Sequence, residues 1–158
     1  RAIEYHHRDF NHYFLSADSD EIAALDAGVF SGWTRTGEGF PVAEFSTPGN
    51  ESVCRFFGVG FAPMSSHFYT PYAQECESLK SNSAWLYERV AFGLALPASN
   101  THGCPAGTRA LNRLWNRNEQ GAPNHRYTTN KYVFDSMIAA SWGMEGEAST
   151  FVFACVPN

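Results

Sequence analysis

The chain has no apolar run long enough to cross a bilayer as a helix, so a membrane span is not expected. Charge is scarce, at 17% Asp, Glu, Lys and Arg, and what there is leans negative, to a net −5. That balance disfavours a phosphate backbone, and with it a nucleic-acid partner. No two cysteines stand two residues apart, so neither a zinc-ribbon nor a Cys-x-x-Cys redox motif is present. No Gly-x-Ser-x-Gly elbow occurs, which removes the usual signature of a serine hydrolase. No signal peptide is evident and residue 1 is Arg, so a mature form or an excised domain is expected. What is abundant is aromatic and apolar: 15% and 44% of 158 residues, enough for one sizeable core without a second domain.

A short motif occurs three times. It reads His12-Tyr13-Phe14-Leu15-Ser16, then His67-Phe68-Tyr69-Thr70, then His125-Arg126-Tyr127-Thr128. Equivalent histidines are 55 and 58 residues apart, and each copy is followed by a helix-like stretch and a tryptophan, Trp33, Trp85 or Trp142. Self-similarity at this period marks an internal triplication. An aromatic, alternating strand precedes each motif, at Ile3 to His6, Val53 to Phe57 and Leu111 to Trp115. Polar loops link the two strands of each unit: 7–11, 58–66 and 116–124. Helices are expected after Asp18 or Ser19, after Thr70, and after Thr128 or Thr129, with Gly28 and Asn82 as stops. The third strand runs from each Trp toward Phe40, Phe92 and Phe151, with an insertion in the last copy near Glu147 to Ser149.

The expected fold is mainly β with short helices, an α+β class. It is one compact pseudo-threefold domain over residues 1–158, with strand–strand–helix–strand repeats at 1–50, 51–103 and 104–158. No single unit can bury its own apolar face, so the three pack together. A linear stack would leave uncapped ends, and a β-trefoil is the alternative. The three tryptophans with Phe40, Phe92 and Phe151, supported by Phe14 and Phe68, are the expected shared core. Position within the repeats pairs Cys54 with Cys76 and Cys104 with Cys155, and oxidised cysteines point to a secreted or periplasmic setting.

These motifs resemble a secreted bacterial and fungal repeat family of unknown function. Its unit reads Tyr-Arg-Phe-Tyr-Asn, Asp-His-Phe-Tyr-Thr-Thr, Gly-Trp and Glu-Gly-Ile-Ala-Phe. The best matches are Val53 to Phe57, Ser66 to Thr70, Trp85 to Phe92, Arg113, Asn124 to Thr128, Trp142-Gly143 and Glu145-Gly146. The first copy departs most, with no Arg in its first strand and Leu15-Ser16 for the usual Tyr-Thr. The resemblance implies an extracellular address and a domain appended to larger secreted proteins. It implies no activity.

Three function classes remain. The leading one is a lectin-like module for a glycan or cell-surface polymer, with loop polar groups beside recurring tyrosines Tyr13, Tyr69 and Tyr127. Its expected site is the richest loop, with Trp115, Asn118, Glu119, Gln120 and Tyr127. An extracellular hydrolase built on one divergent copy is the second class, and a structural or protein-interaction domain the third. No catalytic constellation and no cofactor are expected. His12, His67 and His125 would form a three-His metal site if they met on a common axis. The competing expectation is that each fixes its hairpin through a loop carbonyl, with no acidic residue recurring beside it. Glu88 and Glu145, three residues after their tryptophans, are expected to pair with Arg55 and Arg113.

Overall fold

A computed structural model describes residues 1–158, the side chain of Ala148 excepted. Strands dominate, in three small antiparallel sheets that close no barrel among the described residues. The first sheet holds β1 (Ala2–His7), β2 (His12–Ser16) and β3 (Trp33–Phe40), in the order β2-β1-β3. The second holds β4 (Glu51–Gly58), β5 (His67–Thr70) and β6 (Trp85–Leu94), in the order β5-β4-β6. In the third, β7 (Thr108–Trp115) pairs with β8 (His125–Thr128), β9 (Gly143–Glu145) and β10 (Ala154–Pro157). The insertion expected near Glu147 is what splits the last strand in two: a 3-10 turn at Ala148–Thr150 separates β9 from β10.

A helix follows the second strand of each sheet: α1 (Ser19–Asp26), α2 (Ala73–Lys80) and α3 (Lys131–Ala139). Each is entered through the same turn. Ser16, Thr70 and Thr128 each use Oγ to accept from the N–H two residues on, at 3.2, 3.0 and 3.0 Å. Asp18 then caps α1, accepting from Asp20 and Glu21. Asn130 caps α3, one residue past the expected Thr129, because Thr128 is occupied with the turn. Gly28 ends the first helix region at a φ of +73°, which a residue without Cβ adopts freely.

Strand register corrects the sequence alignment of the first copy. Tyr13 faces His6, His67 faces Phe57, and His125 faces Trp115. Those three partners in turn face Thr34, Leu86 and Gly143, each the residue after a tryptophan. Tyr13 therefore occupies the place of His67 and His125. His12 falls one position earlier, in the place of Ser66 and Asn124. The motif spacing aligns histidine with histidine, while the resemblance sets Leu15-Ser16 against Tyr-Thr; the pleat follows the second, with Leu15-Ser16 level with Tyr69-Thr70 and Tyr127-Thr128.

The central core is built from Phe40, Phe92 and Phe153 with Tyr5, Phe14, Tyr69, Tyr127, Val53, Leu94 and Leu111. Phe153, 1% exposed, takes the place expected for Phe151, which sits half-buried at a φ of +51° beyond the insertion. The tryptophans do not share this core. Trp33 packs on its edge, Trp85 joins Phe56, Phe68 and the cystine, and Trp142 joins Leu114, Val133 and Met137. Each short helix needs an apolar lid of its own, and the tryptophan after it supplies one. Cys54–Cys76 and Cys104–Cys155 are both bridged.

Candidate functional site

The sheets are joined by buried charge. Arg55 of β4 reaches α1, donating to Glu21 at 2.7 and 3.0 Å, and also donates to Glu88 of β6 at 2.7 Å. Arg113 of β7 repeats this on α2, at 2.9 and 3.0 Å to Glu75, with Glu145 at 3.0 Å from its Nε. Between the third and first sheets the polarity reverses: Glu4, in the place of those arginines, accepts from Arg126 at 3.0 and 2.8 Å. Each guanidinium also lies over an aromatic ring: Arg55 over Phe14, Arg113 over Phe68 and Arg126 over Tyr13, at 5.5, 5.1 and 4.1 Å. Burial works against the Arg55 charge, but the Glu21 hydrogen bonds and the Glu88 and Glu21 carboxylates hold it protonated above its ordinary value.

A second set of links runs between sheets in a cycle. His12 donates from Nδ1 to the Ser65 carbonyl at 2.8 Å. Ser66 donates from Oγ to the Pro123 carbonyl. Asn124 accepts from Tyr13 N–H at 2.7 Å and donates to its carbonyl at 3.1 Å. All three side chains are buried. The first sheet thus holds the second, the second the third, and the third the first.

An aromatic-lined cavity opens between the first two sheets. It has a volume of about 390 Å³ and is lined by Phe14, Leu25, Phe30, Trp33 and Phe57, with Glu21, Ser65, His67 and Glu88 as its polar groups. Phe14 forms the floor: Trp33 meets it edge-on at 5.8 Å and His67 tilts over it at 4.5 Å. Phe30, in the turn after α1, is 49% exposed. Burial, with the Arg55 charge beside it, drags the His67 pKa down to about 3, so the ring is neutral at ordinary pH. Its Nε2 lies 3.5 Å from Glu88 Oε2, and its Nδ1 is buried without a hydrogen-bond partner. Glu88 gives Oε2 to Arg55, while Oε1 takes no protein hydrogen bond among the described residues; the side chain is 25% exposed.

The expected loop site does not come together as a whole. Asn118, Glu119 and Gln120 are exposed on a turn whose Asn118 and Gln120 adopt left-handed φ of 60° and 58°. Trp115 is half-buried at the end of β7. Tyr127 is withdrawn from this surface: it is 4% exposed, its hydroxyl donates to the Tyr69 carbonyl at 2.9 Å and accepts from Tyr69 N–H at 2.9 Å, and burial raises its pKa. Tyr69 is equally occupied, bonding Leu15 at 2.5 and 3.3 Å.

The histidines also diverge from expectation. His12 binds a loop carbonyl, but His67 and His125 face carboxylates, with His125 Nε2 at 3.1 Å from Glu145 Oε2. Acidic residues do recur beside the motif, from the third strand. Among the described residues no group of three or more His, Cys, Asp or Glu side chains is placed to hold a metal. The expected Arg55–Glu88 and Arg113–Glu145 pairs are present. The cavity escaped sequence reasoning because its wall joins two distant segments; Phe14, Trp33 and Phe57 stood out as aromatic, but Phe30 did not.

A three-sheet scaffold with two cystines and an aromatic cavity defines a class, and a family model narrows it. The model described as Domain of unknown function (DUF5648) matches residues 4–152, and the chain belongs to that family. No curated protein and no solved structure matches the chain.

Proposed function

We propose that the chain is a secreted, non-catalytic glycan-binding module made of three related units about a pseudo-threefold axis, and that its ligand enters the cavity between the first two sheets. The wall of that cavity carries the reading: Phe30, Trp33 and Phe57 beside Ser65, His67 and Glu88. The C–H face of a pyranose stacks on such rings while its hydroxyls bond the few convergent polar groups. A binding role fits the carboxylates better than hydrolysis does. Glu21 and Glu88 are tied to one guanidinium, and Glu21 has both oxygens engaged, by Arg55 and by Ser16 at 2.5 Å. Two cystines suit an oxidising compartment. The like strand order of the sheets and the cyclic links between them support the threefold arrangement.

The test is calorimetric titration with a panel of oligosaccharides. Phe30→Ala should weaken binding by about tenfold, the loss of a stacking contact, while Trp115→Ala, at the rival loop site, leaves it unchanged. The reverse ranking would move the site to the Asn118–Gln120 loop.

A further inference from the structure

The cavity is not electrically neutral. Its two carboxylates, Glu21 and Glu88, face a single guanidinium, Arg55. His67 adds no charge at ordinary pH, since burial beside Arg55 keeps it unprotonated. Nearby charges cancel in pairs: Asp18 with Arg89 at 2.8 Å, and Asp26 with Arg35 at 2.6 Å. One negative charge is left over, and the bonding pattern places it. Glu21 is held at both oxygens, whereas Glu88 leaves Oε1 without a protein partner. The aromatic lining adds to this, because Phe30, Trp33 and Phe57 line the cavity and the face of an aromatic ring carries the negative side of its quadrupole.

We infer that the ligand carries an amine: it is an amino sugar with a free ammonium, as in a deacetylated hexosamine oligomer, whose ammonium meets Glu88 Oε1 while its ring stacks between Phe30, Trp33 and Phe57. This rests on the glycan reading above. An acidic or sulfated sugar would meet the unbalanced carboxylate and be repelled. A neutral sugar would gain the stacking alone. An ammonium gains the carboxylate and the ring faces together, in a site whose walls exclude part of the solvent. The chain's net charge of −5 acts in the same direction at longer range.

The experiment titrates the wild-type chain with three short oligomers of equal length: glucosamine, N-acetylglucosamine and glucose. Glucosamine oligomers should bind about tenfold more tightly than the other two, a preference that falls as salt rises. Glu88→Gln should bring the three together, and Phe30→Ala should weaken all three. Thermal melts of both variants establish that they are folded. Should Glu88→Gln fail to fold, the wild-type ranking and its salt dependence still decide. Equal binding of all three by the wild type would overturn the amine inference and leave the glycan reading standing. Amine preference retained in Glu88→Gln at full strength would also overturn it, since the cation would then be held elsewhere by overall charge. Silence toward every oligomer would overturn the glycan reading itself.

Discussion

His67 shows how much a single position carries. It is 12% exposed at its side chain, tilted over Phe14 and Phe57, and set beside the Arg55 guanidinium that reaches α1. Its pKa is lowered from 6.5 to about 3 by burial first and the Arg55 charge second. Above pH 6.5 neither folded nor unfolded chain protonates this residue, so it costs nothing. Below 6.5 the unfolded chain takes the proton and the folded chain does not, until about pH 3. Stability should therefore fall across that window, by at most about 1.4 kcal/mol per pH unit from this group. Burial lowers His12 and His125 too, and they act in the same direction. Urea unfolding at pH 7 and pH 4.5 measures the effect, and His67→Phe should shrink the difference. A wild-type chain as stable at pH 4.5 as at pH 7 would show that the ring is protonated in place.

At the scale of elements, the two cystines differ in what they restrain. Cys54–Cys76 ties β4 to α2 across 22 residues, and Cys104–Cys155 ties the entry to the third sheet to β10 across 51. In the chain-entropy model these are worth about 3 and about 4 kcal/mol. Replacing both cysteines of the longer bridge by Ala should lower the melting temperature more than the same change in the shorter one. The opposite order would mean that packing of the cystine against Phe56 and Phe68, rather than loop closure, sets the cost. These elements were largely legible in the sequence. Turn residues, alternation and the capping Asp18 located three hairpins and three helices, and repeat position paired the cysteines. Register was not legible in the first copy. His12-Tyr13 and Ser66-His67 offer two plausible alignments, and only the pairing of Tyr13 with His6 selects one. Spacing likewise points to Phe151 as the core residue that Phe153 proves to be, because an insertion shifts the strand by an amount that spacing alone does not reveal.

At the scale of the whole molecule, three antiparallel sheets are held by reciprocal links rather than by one continuous ladder. Phe40, Phe92 and Phe153 meet in the centre, and buried ion pairs close each seam. One seam is polarised the other way, with Glu4 and Arg126, and the seam between the first two sheets opens into the aromatic cavity. The cavity, and with it the proposed site, lies at that seam. It could not be read from the motifs, which are alike, but follows from what surrounds them: the longer turn carrying Phe30 and the smaller Phe57 where the third sheet has Trp115. Amide chemical-shift mapping during a titration with a glucosamine oligomer tests this account most directly. It predicts saturable shifts at Phe30, Trp33, Phe57, Ser65 and Glu88, with the Trp33 indole N–H among them. Shifts confined to Arg117 through Gly121, or spread over the acidic surface without saturation, would contradict it.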